Sequence, residues 1–288
     1  MRIWKFALGI IVFAILLGFF LYFENNSVVV THLEIKDEKV PAEFDGFKIL
    51  HLSDLHSKSF GQNQHTLVDM IKENRPDIIA FTGDLVDREH YDDEAGITLL
   101  GQAAKVAPVY YVTGNHEWWA GRFDELEPKL VKAGVNVLRD ENISIKVEDQ
   151  SIQIVGIDDI AGSNGAAAWH ERLEVGSDKA VRSDLDKALE GLRAGDFKIL
   201  LAHRPEHVST YSSYPINLVL CGHAHGGQVR LPFVGGLIAP DQGFFPKYTT
   251  GAHKLGDTTM VVNRGLGNSV VPQRIFNRPE IIIVTLKR

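Results

Sequence analysis

Five times along this chain, an apolar run of strand length ends beside a residue able to ligate a metal. The runs are Phe47–Leu52, Asp77–Phe81, Val109–Val112, Phe197–Ala202 and Ile216–Leu220. They lead into Asp54-Leu55-His56, Gly83-Asp84, Gly114-Asn115-His116-Glu117, His203 and Gly222-His223-Ala224-His225. A parallel-type sheet gathers such residues at the carboxyl ends of its strands, where α/β proteins place their sites. Asp, Asn and His together offer oxygen and imidazole donors. That mixture suits Mn, Fe or Zn, and fits neither a thiolate zinc site nor an all-oxygen calcium cage. The order of the segments describes two adjacent metals.

The rest of the chain bounds the reading. A net charge of -7 disfavours a general nucleic-acid-binding surface. The single cysteine, Cys221, excludes a disulfide framework and reads as a small buried residue in an apolar run. From Phe6 to Phe23 no residue is charged; Arg2 and Lys5 precede the stretch and Glu24 follows it. As a helix it would span about 27 Å, close to the hydrocarbon thickness of a bilayer at about 30 Å. No Ala-x-Ala-like cleavage site follows, so residues 1–26 are expected to be an uncleaved anchor. The basic residues before the span predict a single-pass membrane protein with a cytoplasmic N-terminus and an extracytoplasmic domain, residues 27–288.

Past the anchor, Val28–Ile35 and Phe47–Leu52 read as strands, with Pro41 and Gly46 between them. His65–Asn74 reads as a helix, with Leu67, Val68, Met70 and Ile71 on its apolar side and Pro76 beyond its end. Ala95–Val106 and Phe123–Ala133 are the next helices, so the first half has a β–α–β rhythm. Later strands are expected at Val135–Leu138, Ile143–Val147, Ile152–Ile157, Gln228–Leu231, Met260–Asn263 and Ile281–Leu286, with a helix at Leu185–Leu192. Many strands with few helices between them indicate a second sheet stacked on the first. The expected fold class is α/β: one αββα sandwich of two stacked mixed sheets flanked by helices.

Single motifs here are weak. Asp-x-His has no specificity alone, and Gly-Asp is mostly a turn signal. Their combination is informative. Asp54 and His56, two apart at a strand end, can reach one ion. Gly83 permits close approach of the backbone. Asp84 can bridge two cations through its two oxygens. Asn115 adds a neutral oxygen, and His203, His223 and His225 add imidazoles.

In this order the segments resemble the calcineurin-like metallophosphoesterases, from about Lys48 to the C-terminus. The membrane segment, Ser53-Asp54-Leu55-His56 and the stretch Gly222–Gly227 are most similar to the bacterial YkuE/YaeI-like branch. The resemblance implies two divalent metal ions (Mn, Fe or Zn). Asp54, His56, Asp84 and His225 would hold the first, and Asp84, Asn115, His203 and His223 the second. His116 matches the family's non-ligand catalytic histidine. Asp87 matches the acidic residue that orients that histidine in the phosphoprotein phosphatases. Asp87-Arg88-Glu89 departs from the Asp-Arg-Gly of that branch, which counts against a protein phosphatase.

Two cations about 3.5–4 Å apart can bridge and acidify one water, giving hydroxide near neutral pH for in-line attack on phosphorus. The same charges offset those developing in the transition state. His116, next to Asn115, is placed to protonate the leaving oxygen or to hydrogen-bond a phosphoryl oxygen. Arg88 is a candidate substrate contact, balanced by a surface salt bridge. Glu117 is read either as orienting a ligand histidine or as a surface residue. Trp118 and Trp119 either wall the pocket or pack in the core, His51 packs in its strand, and Arg204-Pro205 set the chain's exit. The apolar stretch Leu231–Phe245 either contacts lipid or a lipid-linked substrate, or folds against the domain.

The expected function is phosphoester hydrolysis, with diesters first. A UDP-diacylglucosamine-type pyrophosphatase is the alternative, and would need a cytoplasm-facing site. A non-catalytic metal-binding scaffold would be expected to lack ligands, and none is missing.

Overall fold

The computed structural model describes residues 2–162, 177–268 and 271–288. Helix α1 (Arg2–Asn26) leads into β1 (Val29–Lys36), β2 (Lys48–Leu52), α2 (His65–Asn74), β3 (Ile78–Thr82), α3 (Glu94–Ala103) and β4 (Val109–Val112). Next come α4 (Asn115–Trp119), α5 (Phe123–Lys132), β5 (Val135–Val137), β6 (Glu141–Val147) and β7 (Gln150–Gly156). The second half holds α6 (Ser177–Ala188), β8 (Phe197–Leu201), α7 (Val208–Tyr211) and β9 (Leu218–Cys221). Two small ribbons follow, β10 (Arg230–Leu231) with β11 (Gly235–Gly236) and β12 (Ile238–Ala239) with β13 (Gly243–Phe244). The last strands are β14 (Gly251–Leu255), β15 (Thr258–Val262) and β16 (Glu280–Lys287).

Twelve of these strands make two mixed sheets of six. One has the order β1-β16-β2-β3-β4-β5, the other β14-β15-β9-β8-β7-β6. Strands β2 to β5 are mutually parallel, as are β15, β9, β8 and β7. Parallel strands buried on both faces read as continuous apolar runs, which is why these were legible. Between the sheets, Ile49, Ala80 and Val112 meet Ile154, Ile199 and Leu220. On the outer face of the first sheet, Leu50, Phe81 and Tyr111 pack on Leu67, Leu99 and Leu126 of α2, α3 and α5. On the outer face of the second, Leu200, Val219 and Met260 pack on Val181, Leu185 and Tyr211 of α6 and α7. This is an αββα sandwich.

The elements depart from the sequence reading in several places. Helix α6 begins at Ser177 rather than Leu185 and ends at Ala188, because its first turns are largely polar and carry only Val181 inward. The strand expected at Gln228–Leu231 is only two residues long. Strand β14 had no periodic signal, since Gly251-Ala252-His253-Lys254-Leu255 is a half-exposed edge. Helix α1 is apolar, long enough to cross a membrane, and buries none of its apolar window against the domain.

Candidate dimetal site

Three parallel strands of one sheet and two of the other end at a common centre. Asp54 and His56 follow β2, Asp84 follows β3, Asn115 and His116 open α4 after β4, His203 follows β8, and His223 and His225 follow β9. All eight side chains are buried. The chain makes abrupt turns to deliver them. Asp54, His56, Asp84, His223 and His225 have φ of 52°, 48°, 55°, 65° and 46°. This left-handed region costs a non-glycine residue about 1 kcal/mol or more, and such strain collects at functional sites. Close approach explains two glycines. A Cβ on Gly83 would stand 2.5 Å from the backbone nitrogen of Gly114 and 2.7 Å from His203 Nδ1. One on Gly222 would collide with Ser53 Oγ and Asp54 Oδ2.

The ligand atoms fall into two overlapping sets. Asp54, His56, Asp84 and His225 each bring one atom within 4.8 Å of the others, and Asp84, His203 and His223 do the same. Asn115 Oδ1 lies 3.2 Å from His203 Nε2 and joins the second set. Asp84 is common to both. Its Oδ1 accepts the backbone N–H of His116 at 2.9 Å. Its Oδ2 faces His56 Nε2 at 3.5 Å and His203 Nε2 at 3.3 Å. One oxygen of Asp84, rather than one for each set, therefore points into both.

Hydrogen bonds on the far sides of the rings select their tautomers. His203 Nδ1 donates to the Thr82 carbonyl at 2.7 Å, leaving Nε2 inward. His223 Nε2 donates to Asp241 Oδ2 at 3.0 Å, leaving Nδ1 inward, 3.1 Å from His203 Nε2. His56 Nε2 and His225 Nε2 face each other at 3.1 Å. At most one of these can hold the proton between them, so the pair presents a bare lone pair to the shared space. Carboxylate, amide and imidazole donors converging in this way fit two cations of the Mn, Fe or Zn type.

The electrostatics agree. Burial opposes ionisation of Asp84, but the His203, His116 and His56 imidazoles outweigh it and hold the carboxyl well below its usual range. Burial likewise opposes charge on His203, yet Asp84, Asp54 and Asp159 push its pKa up to about 10. His225 lacks such compensation: burial, with His56 beside it, holds it well below the ordinary imidazole value. The Asp84 carboxylate thus favours positive charge beside it, carried on His203 in this structure.

His116 lies outside both sets. Its Nδ1 accepts the backbone N–H of Arg88 at 3.2 Å, and burial lowers its pKa to about 4. Asp87 stands between two imidazoles, with Oδ2 3.5 Å from His56 Nδ1 and 3.6 Å from His116 Nδ1. Its Oδ1 accepts the backbone N–H groups of Glu89 and His90. The Arg88 guanidinium lies over the Trp119 ring, 4.9 Å from its centre, and reaches Glu89 at 3.3 Å. Trp119 in turn stands 5.4 Å from the His116 ring, whereas Trp118 packs on Phe123 and donates to Thr113. His51 is fully buried in β2.

Two residues need correcting. Glu117 is neither a surface residue nor a partner of a histidine. Its carboxylate is buried and accepts backbone N–H groups of Asp84, Leu85, Val86 and Gly114 at 2.6–3.2 Å, tying the loop after β3 to the loop after β4. Burial, with Asp84 close by, raises its pKa to about 7. Arg204 does more than direct the chain: it is buried against Asp159 at 2.7 Å and also contacts Asp241.

Sequence reasoning missed Asp241, Asp159, Arg274 and Asn277. Arg274, fully buried, donates to the carbonyls of Arg264, Gly267 and Asn277. It thereby fixes the loop whose Gly267 N–H reaches the Asp54 carbonyl at 2.6 Å. Asn277 Nδ2 holds the His225 carbonyl at 2.7 Å. Separations of 52 residues for that pair and 45 for Arg204–Asp159 leave no local signal.

Two buried candidate ligand sets sharing one carboxylate, at the joined strand ends of an αββα sandwich, are compatible with a dimetal site. A family model described as calcineurin-like phosphoesterase matches residues 47–227, and the chain belongs to that family. It is a metallophosphoesterase, a hydrolase of phosphoric esters. Among named relatives, an uncharacterized metallophosphoesterase, YkuE of Bacillus subtilis, is 33% identical over 94% of this chain and 89% of its own. The phosphodiesterase YaeI of Escherichia coli is 29% identical over 87% and 84%. A bovine transmembrane protein with metallophosphoesterase domain is 30% identical over 90% of this chain, which spans 57% of that longer protein.

Proposed function

We propose that this chain is a membrane-anchored phosphodiesterase whose residues 27–288 form the catalytic domain. Asp54, His56, Asp84 and His225 would hold one divalent cation, and Asp84, Asn115, His203 and His223 the other. When bound, the cations supply Lewis-acid charge and a water acidic enough to ionise near neutral pH. The observation that carries the reading is His116, buried beside both ligand sets and belonging to neither.

The protein's own part is to position and to move a proton. With Nδ1 accepting the Arg88 N–H, the neutral His116 ring carries its proton on Nε2, where it can hydrogen-bond a phosphoryl oxygen. Asp87, 3.6 Å from Nδ1, would favour a second proton on the ring at Nδ1, and that imidazolium could pass its Nε2 proton to the departing oxygen and return to the neutral form. Arg88, resting on Trp119 at the same ring, is placed to meet a phosphoryl oxygen. Glu117 and Asp241 keep ligand loops and rings in register. Preference for diesters is supported by the name of the Escherichia coli relative. A lipid-linked or cell-envelope substrate is supported by the apolar helix α1 and by exposed Phe244 and Phe245.

The test is purification of the full chain, elemental analysis, and assays against a model diester, a monoester and a UDP-linked lipid. Two metals per chain and fastest turnover of the diester are expected. Fastest turnover of the UDP-lipid would favour the pyrophosphatase reading. A fully metallated protein without turnover on any of them would leave a metal-binding scaffold. Asp84→Ala should release metal and abolish activity; full metal and full activity would refute the sharing of Asp84.

A further inference from the structure

Residues 231–245 contain one charged side chain, Asp241, and that is engaged with His223 and Arg204. Leu231, Phe233, Val234, Ile238, Phe244 and Phe245 are all exposed; Phe233 protrudes fully. An exposed apolar patch of this kind marks an interaction surface. What covers it is indicated by its neighbours. Segment 228–230 runs beside 271–275: Gln228 Nε2 donates to the Val271 carbonyl at 2.6 Å, and Arg230 N to the Ile275 carbonyl at 3.0 Å. Segment 271–278 is in turn fastened to the end of α1. Gln273 Nε2 donates to the Leu21 carbonyl at 3.0 Å, Arg274 N to Asn25 Oδ1 at 2.8 Å, and Asn277 N to Glu24 Oε2 at 3.0 Å. Phe276, itself exposed, has its ring centre 5.5 Å from that of Phe20.

The contact with Phe20 sets a depth. Phe20 lies six residues before the end of α1, about 9 Å along the helix at 1.5 Å per residue. If α1 is in a bilayer, Phe276 is already at the boundary of headgroups and acyl chains, where apolar faces insert to about 5–10 Å. The patch continues from it without a break in hydrogen bonding.

We propose that the face formed by the 231–245 ribbons, Val271 and Phe276 docks on the bilayer that holds α1, so that the dimetal site works against the lipid surface. The proposal rests on the anchoring role given to α1 above, and not on the reaction. The loop that meets lipid also carries Asp241, the acceptor of His223. The docked ribbons therefore border the site itself, and lipid headgroups or lipid-linked esters become the substrates nearest to it.

Full-length protein in phosphatidylcholine–phosphatidylglycerol vesicles would carry a fluorescent label on Phe233→Cys, Phe244→Cys, Phe13→Cys or Lys39→Cys, each made separately. The only native cysteine, Cys221, is buried and does not compete. Doxyl groups near the headgroup end of the acyl chains should quench the labels at 233 and 244, as expected for groups about 5–10 Å below the surface, and doxyl groups near the chain ends should quench the label at 13. The label at 39, on the opposite end of the domain, should lose none. Quenching at 13 with none at 233 and 244 would overturn the docking while leaving the anchor in place. No quenching at 13 would overturn the anchor and the docking together. Neither result would bear on hydrolysis, which is assayed separately.

Discussion

Glu117 supports four backbone N–H groups from two ligand loops, at distances of 2.6–3.2 Å. A buried N–H left without an acceptor costs about 1–3 kcal/mol. Glu117→Ala should therefore lower thermal stability by several kcal/mol and weaken metal retention, read by calorimetry and elemental analysis. Unchanged melting would mean that water replaces the carboxylate at no cost. His116 makes the opposite prediction. His116→Ala should leave both metals bound and lower turnover by ~10²–10⁴, the usual scale of general acid–base catalysis. Unchanged turnover would remove His116 from the chemistry. The two residues are neighbours in sequence with separable readouts, one structural and one kinetic.

Within an element, His51 shows how a strand can set a pH limit. It is buried in β2, with Nε2 2.8 Å from Thr82 Oγ1 and no hydrogen-bond partner for Nδ1 among the described residues. Burial lowers its pKa from 6.5 to about 3. As pH falls below 6.5 the unfolded chain takes up this proton first, so stability present at neutral pH is lost between 6.5 and about 3. The loss is on the order of 3–5 kcal/mol for a shift of this size. His51→Leu should flatten the dependence of stability on pH in this window, measured by urea unfolding, even though Thr82 loses a partner. An unchanged slope would place the acid sensitivity elsewhere. The strands that carry the site were legible in sequence because burial on both faces makes each an unbroken apolar run. The ligands were legible because chemistry restricts them to Asp, Asn and His. Strand β14 has one exposed face and no alternation, and α4 was hidden inside the motif Asn115-His116-Glu117. Asp241, Arg274 and Asn277 act on backbone groups or rings far away in sequence, so no spacing announces them.

At the scale of the whole molecule, α1 and the domain are hydrogen-bonded as one piece through Asn25 and Glu24. Arg2 and Lys5 before the apolar span favour retention of the N-terminus in the cytoplasm, with the site on the other side. A phosphatase reporter active only outside the cytoplasm, fused after Arg288, should therefore be active in intact cells. Activity only from a cytoplasmic reporter would reverse the topology and restore the UDP-lipid reading.

Strand β16 sits between β1 and β2, pairing Val29–Lys36 with Glu280–Lys287 on one side and Lys48–His51 with Ile282–Thr285 on the other. Its addition closes the first sheet, yet it follows every other strand in synthesis. A chain threaded through a membrane from its N-terminus would hold β1 beside the lipid, with its one partner still unmade, until residues near 280 emerge. Such long-range pairings form late and slowly. The chain would thus be inserted well before its first sheet is complete.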